Sequence, residues 1–300
     1  ELIIFDSKNP FNFFDIFNNH DKVNTQKVYG ILTKPESDKS RFPLIIGVAG
    51  SAGWGEHHYK YLERYLDEDI AVFSLHSFKS RKVNSTVGNQ LQVTIPMVIY
   101  DSFAALKRLS DHINIDKNKI AITGWSLGGG VSLFTAWSPI QKILSPNLKF
   151  AAHLPLYPPC MIMPEELKFN DVPIHILAGA DDNWVPSKAC SELVAASEIK
   201  GNNIKLTIYP NASHSFDRLQ DSVILNNDAY SFTDCRLKLS SNGVVSLLNG
   251  FPLSTPILQK VGLAFCAKKG AYWGGQKLAR EQSALFSIKF MKQHLFHNPK

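Results

Sequence analysis

The feature that most constrains this chain is a serine enclosed by glycines between a strand and a helix. Gly124-Trp125-Ser126-Leu127-Gly128 directly follows the apolar run Ile120-Ala121-Ile122-Thr123. Glycines are needed where a strand turns sharply into a helix, because a Cβ there would collide with the adjacent strand or helix. The serine then has a strained backbone, and its hydroxyl points out of the sheet. The pattern is typical of a nucleophile elbow and predicts strand, tight turn and helix around Ser126.

Composition limits what the chain can be. It has 300 residues, of which 44% are hydrophobic and 19% charged. An α/β chain of this length often forms one domain, whose core needs neither disulfide nor metal. The net charge of +6 comes from scattered lysines and arginines. We therefore expect a solvated basic surface and no nucleic-acid partner. No apolar stretch approaches the about 18 residues of a membrane span.

Apolar runs alternate with helical patterns along most of the chain. Such alternation predicts an α/β fold, with a mostly parallel central sheet and helices on both faces. The continuous apolar run at 44–49 is typical of a strand buried on both faces. The other predicted strands are 28–33, 71–75, 120–123, 150–154, 174–178 and 204–209. The predicted helices are 59–66, 96–109, 187–198 and 275–295, the last with an apolar stripe through Leu278, Leu285, Ile288, Phe290, Met291 and Leu295.

Two segments depart from this alternation. Residues 1–27 are rich in Asn, Phe and Asp and indicate an irregular N-terminal arm, which leaves 28–300 as a single domain. Within that domain, residues 215–275 contain a predicted hairpin whose turn is Asn242-Gly243. We interpret 215–275 as an insertion that decorates the end of the sheet near Ser126.

A serine hydroxyl is a poor nucleophile at neutral pH, so Ser126 requires a base and an acid that orients the base. On a sheet of this kind the order along the chain is Ser, then Asp or Glu, then His, each after a strand. Asp181 and Asp182 follow the predicted strand 174–178. Either fits the acid role, although one of them could instead cap the helix that follows. His214, which comes after strand 204–209, is the predicted base.

The other histidines suit the role of base less well. His153 and His175 lie within predicted strands, where a core or strand-edge position is expected. His57 and His58 lie in the first loop and could contact a substrate. The rest have no suitable placement: His20, His76, His112, His294 and His297.

Backbone N–H groups are the expected donors of an oxyanion hole. One is that of Leu127, and the other comes from Ser51 or Ala52 in the loop 50–53, which could also be an ordinary glycine turn. The expected cavity lining is aromatic, with core packing as the alternative, which fits Phe78 and Tyr157 better than Trp184. The aromatic candidates are Trp54, Phe78, Trp125, Tyr157 and Trp184.

The four cysteines, Cys160, Cys190, Cys235 and Cys266, lack C-x-x-C spacing. They are either buried thiols or two disulfides. A Cys160–Cys190 bridge is plausible, because neighbouring parallel strands would place these two post-strand segments side by side. Paired cysteines would favour a periplasmic or secreted protein over a cytoplasmic one. A secretory signal, a tag or a disordered tail could have preceded Glu1.

From about Val28 to the C-terminus the chain resembles the dienelactone hydrolase-like α/β-hydrolases. The specific parts are 115–129, 179–186 and 209–216, and residues 270–280 are similar to the family's C-terminal pattern. The family's sequence of Asp, two residues and Val-Pro falls on Asp182, which the resemblance therefore implies as the acid. It also implies an α/β-hydrolase fold and hydrolysis of an ester or lactone, with no metal or organic cofactor.

Two positions depart from the family pattern. The namesake enzymes have a cysteine nucleophile where this chain has Ser126, which favours a general esterase over a lactone hydrolase. Members often have His-Gly at the oxyanion turn, where Ala49-Gly50 stands here. The family's arginine after the fourth strand is similar to Arg81, which would either bind a substrate carboxylate or only pin its loop.

We therefore expect an acyl-enzyme mechanism in which Ser126 attacks, His214 acts as base and then acid, and Asp182 orients His214. The expected partner is a small-molecule ester or lactone, and the sequence leaves the oligomeric state open. One alternative is a serine peptidase of the prolyl-oligopeptidase kind, but the chain is too short to include a propeller. Another is a non-catalytic binding protein, but such proteins usually lose a member of the triad.

Overall fold

The computed structural model describes residues 1–296, so His297 lies outside the described residues. Strands and helices alternate along most of the chain, as predicted. The strands are β1 (Leu2–Lys8), β2 (Thr25–Thr33), β3 (Phe42–Val48), β4 (Ala71–Leu75), β5 (Ile115–Trp125), β6 (His153–Leu156), β7 (Ile162–Pro164), β8 (Ile174–Gly179), β9 (Ile204–Tyr209), β10 (Val223–Ser231), β11 (Leu237–Leu239), β12 (Val245–Leu247) and β13 (Lys268–Gly274). The helices are α1 (Phe13–Asn18), α2 (Glu56–Leu66), α3 (Ser77–Ser80), α4 (Ile95–Ser110), α5 (Leu127–Phe134), α6 (Ser138–Leu144), α7 (Ser187–Ile199), α8 (Pro256–Leu263) and α9 (Lys277–Phe296).

Eight strands form the central sheet in the order β1-β2-β4-β3-β5-β6-β8-β9. The pairs β1/β2 and β2/β4 are antiparallel, and the other neighbours are parallel. Helices pack on both faces, with α4 against α5 and α2 against α9. Every residue of β3 and β4 is buried, as their continuous apolar sequences predict for strands covered on both sides. The predicted α/β fold is confirmed. Across residues 1–296, every helix is too short or too polar to span a bilayer.

The N-terminal segment is not irregular, and that expectation is wrong. Strand β1 pairs with β2 along its full length, from Leu2 opposite Ile31 to Lys8 opposite Thr25. Its side chains alternate, so Ile3 and Phe5 enter the core. Helix α1 follows, and a reciprocal capping box between Asn12 and Asp15 fixes its start. The division into residues 1–27 and one domain stays a prediction.

Helix α9 buries a different face from the one predicted. Phe290, Met291 and Leu295 are buried, but Leu278 and Leu285 are 54% and 65% exposed. The contact face also contains small residues, including Ala279, Ser283, Ala284 and Ser287. Small side chains allow close packing against α2, where the Tyr61 hydroxyl lies 2.8 Å from Ser283 Oγ. The predicted stripe was therefore only partly right.

The segment 215–275 contains the predicted hairpin, in which β11 pairs with β12 across a turn with Gly243 at φ +86°. Strand β11 also pairs with β7, and β10 forms an antiparallel ribbon with β13. All four cysteines are paired, as Cys160–Cys190 and Cys235–Cys266. The first bridge is the predicted one, and the second joins the segment after β10 to the residues after α8.

Both disulfides can be checked chemically. Non-reducing peptide mapping of protein purified from its native compartment is expected to recover the two linked peptide pairs. Replacing Cys160 and Cys190 together with serine should lower the free energy of unfolding by roughly 3 to 4 kcal/mol, because the bridge closes a long loop in the unfolded chain. The loop spans 30 residues. Four alkylatable thiols in the native protein would contradict both pairings.

Stability at mildly acidic pH should depend on His153. This residue is fully buried on β6, and its Nδ1 donates to the Ser132 carbonyl over 2.8 Å. Burial lowers its pKa from 6.5 to about 4, because the charged ring would lose its hydration. The unfolded chain binds the proton near pH 6.5 and the folded chain only near pH 4. The contribution of His153 to stability is therefore complete above pH 6.5 and is lost as the pH falls towards 4.

The expected loss over this window is roughly 3 kcal/mol in the free energy of unfolding. Urea titrations between pH 7 and pH 4 measure it, with His153→Asn as the comparison. The variant should show a shallower dependence of stability on pH. An equal slope in both proteins would rule out His153 as the cause.

Candidate active site

Ser126 lies where β5 ends and α5 begins, in a backbone conformation with φ +56° and ψ −113°. A non-glycine residue in this region is strained. The flanking glycines are required as the sequence predicts. A Cβ on Gly124 would lie 2.1 Å from the Gly128 carbonyl oxygen, and one on Gly128 would lie 2.0 Å from that of Val48. The elbow around Ser126 therefore has the predicted geometry.

Three side chains from the ends of three strands meet at this elbow. His214 Nε2 lies 2.9 Å from Ser126 Oγ, and His214 Nδ1 lies 2.7 Å from Asp182 Oδ2. A carboxylate oxygen only accepts, so Nδ1 donates to Asp182 and Nε2 is free to accept the serine proton. Asp182 and His214 are both buried. The structure thus brings together Ser126, Asp182 and His214 in the predicted order.

The loop after β8 distinguishes between its two aspartates. The second carboxylate oxygen of Asp182 accepts the backbone N–H groups of Trp184 and Val185, each at 2.9 Å. Asp181 is exposed, and only its backbone N–H is held, by the Ala212 carbonyl at 2.9 Å. Asp182 is therefore the aspartate that contacts His214, and its loop fixes both of its oxygens.

The loop at 50–53 lies directly against the elbow. A Cβ on Gly50 would lie 3.3 Å from Ser126 Cβ. The Gly53 N–H donates to the Gly50 carbonyl over 2.9 Å, which closes a tight turn. Among the described residues, the N–H groups of Ser51, Ala52 and Leu127 have no acceptor. These are the predicted oxyanion donors, and their role stays a prediction. The Thr86 N–H donates to the Ser51 carbonyl over 2.8 Å and so holds the turn. This chain has Ala49 where family members often have a histidine before the glycine, and the contact from Thr86 is present without it.

A cavity of about 210 Å³ opens over Ser126 and His214. Trp54, Trp125, Tyr157 and Trp184 line it, as do Ser51 and Ala52. The Trp184 ring lies 4.8 Å from the His214 ring, centroid to centroid. Phe78 does not line this cavity and packs in the hydrophobic core, which is the alternative that fitted it better from the sequence.

Tyr157 packs its ring edge against His214, with centroids 4.8 Å apart. Its hydroxyl donates to Asp217 Oδ1 over 2.8 Å. Burial and the Asp217 carboxylate raise the pKa of Tyr157 well above its usual range, so the hydroxyl keeps its proton. Tyr157 therefore combines core packing with a wall position beside His214.

Arg81 does not reach this cavity, so the assignment of Arg81 to substrate binding is wrong. Its guanidinium is buried and pairs with both oxygens of Asp101, at 2.7 and 3.0 Å. Its remaining N–H groups donate to Asn9 Oδ1 and to the carbonyls of Ser77 and Lys8. All five donors are used within the protein. Of the two roles considered, Arg81 has the structural one and ties its loop to the N-terminal segment.

Two further wall residues, Arg218 and Trp273, were not singled out as site candidates from the sequence. The Arg218 guanidinium carbon lies 4.0 Å from the centroid of Trp273. Trp273 reaches the site because the Gly274 N–H donates to the His214 carbonyl over 3.0 Å. Arg218 lies four positions after His214 in the sequence. This proximity to the predicted base could have identified it as a candidate wall residue. Trp273 lies on the distant strand β13, within the segment 270–280 that is similar to the family's C-terminal pattern, and that similarity was the available signal.

His57 and His58 line the same cavity but lie on α2 rather than in a loop. Their rings are 3.9 Å apart, centroid to centroid. Burial, with smaller contributions from His57 and Arg218, holds the pKa of His58 well below its usual range. His58 Nδ1 accepts the Gly55 N–H over 3.0 Å, so this ring also fixes the start of the helix.

Comparison with known proteins agrees with this architecture. A promiscuous, dienelactone hydrolase-like phosphotriesterase from metagenomic libraries has 14% sequence identity, a TM-score of 0.60 and 98% coverage of both chains. Esterase 2 of Thermogutta terrifontis, in a structure phosphorylated by paraoxon, has 16% identity, a TM-score of 0.56 and 92% coverage of both chains. No curated protein sequence matches significantly.

The sequence profile of the dienelactone hydrolase family matches residues 69–238, more than half of the chain. The matched region contains Ser126, Asp182 and His214. With the α/β-hydrolase fold and the strand-end geometry already described, this match shows that the chain belongs to the dienelactone hydrolase family.

Proposed function

We propose that this protein hydrolyses carboxylic esters, including lactones, through an acyl-enzyme formed on Ser126. The observation that carries the proposal is the continuous hydrogen-bonded chain from Ser126 Oγ through His214 to Asp182. The serine at this position, where the namesake enzymes have cysteine, favours a general esterase. Trp54, Trp125 and Trp184 would form the substrate-contacting walls.

In the first half of the reaction, Ser126 Oγ attacks the ester carbonyl carbon while its proton moves to His214 Nε2. The N–H group of Leu127 and that of Ser51 or Ala52 would stabilise the negative oxygen of the tetrahedral intermediate. His214 then protonates the departing alcohol. In the second half, water attacks the acyl carbon while His214 takes the water proton, and His214 then returns this proton to Ser126 Oγ as the acyl–Oγ bond breaks and the acid leaves. Asp182 keeps the imidazole in the required tautomer throughout.

A substrate panel tests the proposal. We expect purified protein to hydrolyse p-nitrophenyl acetate and simple lactones, and to leave peptide p-nitroanilides intact. Hydrolysis of the anilides at a comparable rate would support the peptidase alternative. Absence of turnover on every ester and lactone, by protein shown to be folded, would favour a non-catalytic binding protein and overturn the proposal.

A further inference from the structure

A second and larger cavity, of about 470 Å³, lies beside the cavity over Ser126. Its volume falls within the about 300–1,000 Å³ that is usual for small-molecule sites. One wall comes from residues 88–91 and the other from β10, α8 and the residues after α8. We call it the side groove, and its apolar walls are formed by Leu91, Trp184, Tyr230, Phe232, Leu263 and Ala264.

Trp184 is common to the side groove and the site, because it lines both cavities. Its ring packs against His214, and the backbone N–H of Trp184 holds Asp182. Trp184 is therefore a wall common to the two cavities, and an arm that reaches the side groove from a carbonyl carbon at Ser126 would have to pass this ring.

The wall formed by the insertion is fixed relative to the triad. The Phe232 N–H donates to the Trp184 carbonyl over 2.9 Å. The hydroxyls of Ser231 and Thr233 both donate to the Asn183 carbonyl. The Cys235–Cys266 disulfide then ties the end of this segment to the residues after α8. The groove wall is thus anchored to the loop that carries Asp182.

The opposite wall is fixed as well. A Cβ on Gly88 would lie 2.6 Å from the Asp228 carbonyl oxygen, so the segment 88–91 packs closely on β10. Apart from the apolar residues, the lining consists of uncharged amides and one cation, the exposed Lys260. Such a surface offers a hydrocarbon a favourable environment, and among the described residues Lys260 is the one charged group in the lining.

We propose that the side groove binds the hydrocarbon arm of the ester substrate, so that the preferred substrates are esters with a medium or long alkyl chain. The inference rests on the proposed function, since it places the reacting carbonyl at Ser126. The arm can belong to the acyl or to the alkoxy half of the ester. Two substrate series distinguish these sources: p-nitrophenyl esters from acetate to decanoate, and acetate esters from methyl to decyl.

In the series that matches the bound half, kcat/KM should rise by about threefold for each added methylene until the groove is full. The decisive variant is Ala264→Trp, which fills the groove from an exposed position. Its control is Ala195→Trp, at an exposed position on α7 that lines neither cavity. We expect the ratio of kcat/KM for octanoate to that for acetate (or for octyl to methyl) to fall by about tenfold or more in Ala264→Trp and to stay unchanged in the control.

If Ala264→Trp folds poorly, Gln259→Trp repeats the measurement from another position in the groove wall. An unchanged ratio in the filled variants, or no rise with chain length in either series, would overturn the side groove as the binding site for the arm. In both cases the protein would still hydrolyse esters, so the proposed function would not be contradicted. Absence of turnover on the shortest esters by the unmodified protein would instead contradict the proposed function itself.

Discussion

Replacing Ser126 with alanine is expected to lower kcat for ester hydrolysis by about 10⁶-fold. The change removes the oxygen that attacks the carbonyl carbon, and no other hydroxyl lies within hydrogen-bonding distance of His214 Nε2 among the described residues. The fold should remain intact, because the Ser126 side chain faces the cavity and its backbone conformation strains alanine no more than serine. Initial-rate kinetics and circular dichroism measure the two effects.

A fluorophosphonate probe should label Ser126 alone. The matched control is Ser132→Ala, on the same helix, because the Ser132 hydroxyl donates to the Ile122 carbonyl and does not face the cavity. That variant should keep both turnover and labelling. Near-normal turnover in Ser126→Ala, or labelling of another residue, would refute the nucleophile assignment.

The second large effect is expected at the acid. Asp182→Asn should lower kcat by about 10⁴-fold. An asparagine amide in this position can donate to His214 Nδ1, which favours the tautomer that carries its hydrogen on Nε2. Nε2 would then face the serine hydroxyl with a proton and could not accept one. Steady-state kinetics on p-nitrophenyl acetate measure the loss.

Asp181→Asn is the matched control, since it makes the same chemical change one residue away, on an exposed side chain. It should retain most of the activity. A greater loss in Asp181→Asn than in Asp182→Asn would mean that the assignment of the loop is displaced by one residue.

The central strands could be predicted from the sequence because they are buried on both faces. Their sequences are mostly apolar, and strand 71–75 has the predicted limits. The edge strand β9 also has the predicted limits, 204–209, although it is only partly buried. The edge strand β1 escaped prediction because its outward residues are apolar too. Leu2 and Ile4 are 61% and 59% exposed, so the usual alternation of apolar and polar residues was absent.

The site also contains residues that the local sequence predicts and residues whose role depends on tertiary contacts. Ser126, Asp182 and His214 lie on segments that follow strands, so local pattern and chain order predicted Ser126, His214 and the pair Asp181 and Asp182. The family resemblance then chose Asp182 from this pair. Arg81 was misassigned because its partner Asp101 and its contact Asn9 lie 20 and 72 residues away in the chain. Which role a guanidinium has depends on whether distant residues occupy its donors, and only the tertiary structure shows that.

At the elbow, the residues that the backbone geometry requires differ from the residue that reacts. The backbone at Gly124 and Gly128 leaves no room for any side chain, although neither residue supplies a reacting group. The side chain at 126 points into an open cavity, so exchanging its oxygen for sulfur would require no repacking of the sheet. During evolution, a chain with this elbow can therefore exchange a serine nucleophile for a cysteine by a single substitution. The two glycines, which do not take part in the reaction, must be retained.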